Sequence, residues 1–198
     1  MDVFSLNNFI KICLLDTGSR ISEIQKRLDG PSGYDFYNSF QRAIRAKATG
    51  KSDEHIEAIL EAPTKDVERK YNREAFNQVD VKFGKKKSFD AVTSKKSVKF
   101  RSVGIEVVVD PLFQFEVSGI PRVVSVWPAQ KPELLQKYAA VACYIMRKAY
   151  NGTNIANAQL QYYDTIKDKL YSEKQITNNT SLILNADLQS ISTLLKEL

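Results

Sequence analysis

Gly104-Ile-Glu-Val-Val-Val-Asp-Pro-Leu-Phe-Gln-Phe-Glu-Val-Ser-Gly-Ile-Pro-Arg-Val-Val-Ser-Val-Trp127 decides the fold of this chain. Side chains alternate across a β-strand with a period of two. Ile105, Val107 and Val109 therefore share one face, and Glu106, Val108 and Asp110 the other. Pro111 has no ladder donor and breaks or bulges the run. Beyond it, Phe113, Phe115 and Val117 fall on one side, with Leu112, Gln114 and Glu116 on the other. Ser118-Gly119 reads as a tight turn, and residues 122–127 return as a strand with hardly a polar position. A strand apolar on both faces is covered on both sides, so helices should flank the sheet. Residues 98–103 read as the strand that precedes this stretch.

Upstream, the first eighty residues read as helical. Leu6, Phe9, Ile10, Cys13 and Leu14 recur at helical spacing, and Thr17-Gly18-Ser19 offers a stop followed by an N-cap. A second stripe over residues 19–28 (Ile21, Ile24, Leu28) is closed by Asp29-Gly30-Pro31-Ser32-Gly33. A third helix is expected over 34–48, with Phe36, Phe40 and Ile44 on one face. Ser52 caps a short helix ending at Pro63, and Thr64 caps a longer one carrying Val67, Tyr71, Ala75, Phe76 and Val79. The second and third helices invite a helix-turn-helix reading. Their connection is longer and looser than the tight turn of that motif, so a plain helical layer is the expectation.

Downstream, Leu134, Leu135, Tyr138, Val141, Ala142, Ile145 and Met146 mark a helix over 133–150, closed by Asn151-Gly152. Residues 158–164 alternate loosely, with 168–172 as a partner strand. A helix over 155–170 fits the same residues, and periodicity does not choose between them. Asn178-Asn179 reads as a loop, and Asp187 begins a last amphipathic helix. The expected fold is α+β (or α/β): an N-terminal helical layer or subdomain over 1–83, then a core over 84–198 built on a central, mainly antiparallel sheet flanked by helices. The two parts can also form one continuous domain.

Hydrophobic residues at 43% and charged residues at 26% are ordinary globular values and argue against disorder. No apolar run approaches the ~20 residues needed to cross a bilayer. The N-terminus lacks the basic start and small-residue cleavage site of a secretory signal. Cys13 and Cys143 lie in apolar, helix-like stretches and read as reduced core thiols. A cytoplasmic protein without a membrane partner is the expectation. Charge is concentrated: Lys82, Lys85, Lys86, Lys87, Lys95, Lys96, Lys99 and Arg101 fall within twenty residues containing one acid, Asp90, so this window alone exceeds the whole-chain charge of +6. These eight side chains are the candidate nucleic-acid contacts, because each can neutralise a phosphate. Phe83, Phe89 and Phe100 are interleaved with them. They can stack on bases, but their burial incentive favours turning back into the core.

Most catalytic chemistry is set aside. His55 is the sole histidine, which removes a histidine triad and a multi-histidine metal site. There is no CxxC, phosphate-cradling Gly-rich loop or GxSxG elbow. Glu57 and Glu61 are one turn apart on a helix, ordinarily a solvated face. Glu106, Asp110 and Glu116 remain, on or beside paired strands, as hard oxygen donors of the kind Mg²⁺ prefers.

The order helix (65–79), three antiparallel strands (98–127), helix (133–150), strand (158–164) resembles the PD-(D/E)XK nuclease-like core. The resemblance spans roughly residues 64–170. It implies an Asp on the second strand and an ExK on the third, which together hold a metal ion and position the attacking water. Asp110, at the end of Val-Val-Val-Asp-Pro, suits the first role. The third strand has no acid, Glu116-Val117-Ser118 lacks the lysine, and Lys131 lies past the strand. An incomplete motif implies a non-catalytic relative that needs no cofactor and contacts DNA or RNA through residues 82–101. Two alternatives stand beside it. One is a protein-interaction or assembly module, with a protein partner or self-association and no nucleic acid. The other is a divergent Mg-dependent nuclease with Asp110, Glu116 and Lys131 as its catalytic residues and Asp110 and Glu116 on the metal.

Overall fold

Pro111 parts the β structure into two sheets. The structure is a computed structural model that describes residues 1–29 and 35–198. Its strands are β1 (Asp2–Ser5), β2 (Asp90–Ala91), β3 (Lys96–Phe100), β4 (Ile105–Val109), β5 (Phe113–Val117), β6 (Ile120–Trp127), β7 (Gln159–Asp164) and β8 (Lys169–Ser172). One sheet has the order β1-β4-β3, the other β2-β5-β6-β7-β8. Pairing is antiparallel except for β1 with β4 and β6 with β7. β4 and β5 are a single run bent at residues 110–112. Leu112 N rejoins the ladder by donating to Val124 O at 3.0 Å, so the missing Pro111 donor interrupts pairing only locally. The β5–β6 hairpin turns on Ser118 and Gly119, both at positive φ (53° and 78°), which fits a tight primed turn with glycine at the second position.

The helices are α1 (Leu6–Leu14), α2 (Thr17–Asp29), α3 (Asn38–Ala48), α4 (Asp53–Glu61), α5 (Asp66–Phe83), α6 (Gln136–Tyr150) and α7 (Asn178–Glu197). The chain is α+β, with helices on both faces of the five-stranded sheet. β6 explains the arrangement. Its Val123 and Trp127 enter a core shared with α1, α2, α6, α7 and the three-stranded sheet, while Val124 and Val126 enter a second core with α3, α4 and α5. Both alternating faces of β6 are therefore apolar.

Several local features differ from the sequence reading. Residues 2–5 form a strand rather than a lead-in to helix, because they pair in parallel with β4 from Asp2↔Ile105 to Ser5↔Val108. Four residues are too few to show a period. α7 begins at Asn178 rather than Asp187: Thr177 and Thr180 cap it reciprocally, so the Asn pair opens a helix instead of a loop. α6 starts three residues later than expected, at Gln136. The choice over 155–172 falls to strands, since β7 aligns with β6 and β8 turns back onto it. Helix-turn-helix pairing is not formed: Ile24 of α2 is in the first core, whereas Phe40, Ala43 and Ile44 of α3 are in the second. The expected break at 30–33 and helix start at Tyr34 lie outside the described residues, and α3 begins at Asn38 with Tyr37 as its cap, so Phe36 precedes the helix instead of lying on its face.

Candidate nucleic-acid interface

Residues 87–101 run antiparallel along residues 105–116, so the basic segment is the outer strand of a bent ribbon. Glu116 N donates to Lys87 O at 2.9 Å, Asp90 lies opposite Gln114, and Lys96 lies opposite Val109. A straight ribbon of about fourteen residues would reach roughly 45 Å, so the cations are strung out rather than clustered. Lys82 pairs with Asp168 and lies 5.0 Å from the Tyr163 ring centroid. Lys87 pairs with Glu116 at 2.7 Å, and Lys99 approaches Glu106 at 3.9 Å. Asp168 is held below the usual carboxylate range by hydrogen bonds from Lys82 and Tyr163. Lys85, Lys86, Lys95, Lys96 and Arg101 are exposed and have no acidic partner among the described residues. The interleaved aromatics turn inward. Phe83 packs on Phe113, Phe115 and Tyr163, Phe89 packs on Phe113, and Phe100 packs against the first core.

Lys95 stands at the edge of a cleft of about 1050 Å³ at the carboxyl ends of β1, β4 and β6. Ser5 ends β1 and caps α1, accepting from Asn8 N at 3.3 Å, so the α1 N-terminus opens onto the cleft. Asn7 fastens that helix start to the sheet. Its Nδ2 donates to Val126 O at 2.8 Å, and its Oδ1 accepts from Tyr162 OH at 2.6 Å. Part of the lining is aromatic: Phe36 meets Tyr37 edge-on at 5.0 Å and Tyr71 at 6.2 Å. Burial raises the Tyr37 phenol above its ordinary value. At the end of β6, Ser125 and Trp127 line the cleft, 5% and 1% exposed, and neither Ser125 Oγ nor Trp127 Nε1 has a hydrogen-bond partner among the described residues.

Charge in the cleft is positive on balance. Glu23 is taken by Lys11 at 2.5 Å and Asp110 by Arg45 at 2.8 Å. Asp35 accepts from Tyr37 N and Gln41 Nε2. Arg27 donates to Val3 O and sits 4.3 Å over the Phe4 ring. Lys26, Lys95 and Lys131 are exposed, line the cleft, and have no acidic partner among the described residues.

Of the carboxylate-and-lysine set, Asp110 and Lys131 reach the cleft and Glu116 does not. Glu116 lies toward the far end of β5, opposite Pro121, in its pair with Lys87. Among the described residues, no three His, Cys, Asp or Glu side chains are grouped to hold a metal ion. On β6, the strand for which the nuclease resemblance implies an acid and a lysine, the buried polar atoms without a partner among the described residues belong to Arg122, Ser125 and Trp127, of which Ser125 and Trp127 line the cleft. Ser125 was visible in the sequence as the lone polar residue in Val-Val-Ser-Val-Trp. The aromatic wall was not, because Phe36, Tyr37 and Tyr71 meet only through the packing of α5 beside the start of α3. No protein-family model matches this chain, and no curated protein matches it in sequence.

Proposed function

We propose that this chain is a non-catalytic, nuclease-like domain that binds nucleic acid along the β2–β3 ribbon and into the adjoining cleft. The observation that carries the reading is the set of five free cations, Lys85, Lys86, Lys95, Lys96 and Arg101, one of which stands on the cleft. Exposed cations without internal partners are available to phosphates, and their contacts give a salt-dependent affinity. The antiparallel β5–β6 pair followed by α6 and parallel β7 supports part of the nuclease-like order, whereas β3 and β4, expected in the same sheet, stand in the other one. The non-catalytic part is supported by the dispersal of the acids, Asp110 on Arg45 and Glu116 on Lys87.

Fluorescence anisotropy with mixed-sequence DNA and RNA strands of about 20 nucleotides tests this. Five phosphate contacts on a single strand give a log–log salt slope near −3.5, so affinity falls roughly 100-fold between about 50 and 200 mM salt. Replacing all five cations by glutamine abolishes binding. Undetectable binding of both strands near 50 mM salt overturns the reading. Mg²⁺-dependent cleavage of either strand overturns its non-catalytic part.

A further inference from the structure

We infer that the cleft is a nucleotide pocket, which takes one unpaired nucleotide with its phosphate toward the α1 N-terminus and its base toward the Phe36–Tyr37–Tyr71 wall. This rests on the nucleic-acid reading above but uses a different part of the molecule. Three independent features converge on it.

The first is the pair of orphaned polar atoms. A buried donor without a partner carries a desolvation penalty of about 1–3 kcal/mol, and native interiors seldom leave one. Two groups without a partner among the described residues, the Ser125 hydroxyl and the Trp127 indole N–H, stand two residues apart at one end of β6, in residues that line the cleft. Each atom is covered, so a ligand carrying hydrogen-bond acceptors reaches them only by seating into the wall beside them. The second is charge. Lys26 from α2, Lys95 from the ribbon and Lys131 from the segment after β6 line the same cleft onto which the α1 N-terminus opens. Unfilled backbone N–H groups and the helix dipole favour an anion there. The third is the aromatic wall, which offers a base a stacking surface in the same cleft.

Phosphate alone would leave the aromatic wall unused, and a plain apolar ligand would leave the lysines and the two orphaned donors unused. A nucleotide uses all three. The cleft volume is at the upper end of the roughly 300–1,000 Å³ range of small-molecule sites. That accommodates a nucleotide with the start of its flanking chain and not a duplex. Lys95 belongs to both the ribbon and the cleft, so a strand lying along the ribbon leads into the pocket. Extracting a base from a stack costs a few kcal/mol, which makes a strand end or an unpaired position the favoured source. A free mononucleotide offers the same chemistry.

Trp127 is the only tryptophan in the chain, so its emission reports on this pocket alone. The probes are 5′-AMP, 5′-TMP, adenosine, inorganic phosphate and a hexanucleotide, each titrated against the full chain. The mononucleotides are expected to change the emission saturably. Adenosine and inorganic phosphate, each lacking half of the recognition, bind roughly tenfold more weakly or less, as loss of one charge-assisted contact or one stacked base requires. The double variant Lys26→Gln/Lys131→Gln removes two exposed side chains outside the basic segment and leaves the fold intact. It weakens mononucleotide binding at least tenfold. Lys196→Gln, in the last turn of α7 and outside both the cleft lining and the ribbon, leaves mononucleotide binding unchanged. A hexanucleotide that changes the emission and is displaced by 5′-AMP identifies a strand as the source, whereas mononucleotide binding alone identifies a free nucleotide. Both results support the pocket. An absence of saturable change with every nucleotide, or a change that survives in the Lys26/Lys131 variant, overturns it. If the long strands still bind by anisotropy in that case, the pocket fails and the ribbon reading stands; mononucleotide binding without strand binding is the reverse.

Discussion

Arg45 reaches from α3 to Asp110 at the bend between β4 and β5, with Nη2 2.8 Å from a carboxylate oxygen. Nη2 makes no aligned hydrogen bond among the described residues, so charge attraction rather than bond geometry holds the contact. Nη1 donates to Val92 O at 2.9 Å, and Tyr150 OH donates to Ser94 O at 2.5 Å. Together they clasp the 92–95 connection against the bend and set Lys95 on the edge of the cleft. Asp110 thus acts as a counter-charge in a strap. Asp110→Asn is expected to lower stability in urea by less than about 1 kcal/mol, since both side chains are partly exposed. It also removes a negative charge from the cleft, so strand affinity rises, by about twofold for a screened surface charge. Arg45→Ala costs more, about 1–2 kcal/mol, because the buried Val92 carbonyl loses its donor. A fall in strand affinity on Asp110→Asn would show that this carboxylate serves the ligand directly.

Because the free cations lie along a ribbon, the salt dependence should grow with strand length. Lys85 and Lys86 sit at the α5 end and Arg101 follows β3 at the other. A strand of about six nucleotides cannot reach all five, so its slope is expected near −1.5 to −2, against roughly −3.5 for about twenty nucleotides. Removing Lys85 and Lys86 flattens the long-strand slope by about 1.4 and leaves the short strand held at the Lys95 end unaffected. Equal slopes for both lengths would mean that the cations act as one compact patch.

The hairpin of β5 and β6, the α6 crossover and the parallel β7 were legible because each is long enough to show its period. Ser118-Gly119 also supplied the turn chemistry that fixes the register Val117↔Ile120. β1 escaped because it is four residues long and only Phe4 is buried. Its partner, β4, lies a hundred residues away. The parting of the sheets at Pro111 follows from a missing donor, which a sequence shows, but the direction of the bend follows from Arg45 and Tyr150, which it does not. The eight cations were readable as a run of charge. Which of them are free depended on Asp168, Glu116 and Glu106 coming alongside, a tertiary matter. The cleft shared by α1, α2 and the end of β6 had no contiguous signature at all, only the single polar Ser125 among valines.

Arg20 ties α1, α2 and α7 together. Its guanidinium donates to the Ile12 and Cys13 carbonyls in the last turn of α1, to Ser190 Oγ, and to Asp187 at 3.0 Å. Both charged side chains are nearly buried, at 12% and 11% exposure. Removing one member of such a pair strands the other charge in a poor solvent. Asp187→Ala is expected to destabilise by about 3 kcal/mol, the low end for a broken buried pair, because Arg20 keeps its carbonyl acceptors. Asp187→Asn retains an acceptor and costs about half as much. Chemical denaturation reads both, and a loss below about 1 kcal/mol for Asp187→Ala would show that α7 is held by its apolar contacts alone.

Asp164 ends β7 almost wholly buried, its Oδ1 accepting from Ile166 N at 2.9 Å and Lys167 N at 3.2 Å. Burial raises its carboxyl above the ordinary value, against the pull of those two donors and of the Lys167 charge. A carboxyl raised in the folded state takes up its proton more readily there than in the unfolded chain, whose value is about 3.9. Between the two values the folded state binds more protons, so this group's contribution falls as pH rises through the window and is fully lost above it. Asp164→Asn is neutral at every pH and removes that loss. Any fixed cost of fitting the amide cancels when the variant is compared with the parent at two pH values. The stability difference, variant minus parent, is therefore expected to be more favourable at about pH 7 than at about pH 3, with the change concentrated just above the ordinary carboxylate range. Urea titrations at the two pH values measure it. A difference that stays constant, or that moves the other way, would mean that the backbone donors and Lys167 outweigh burial at this position.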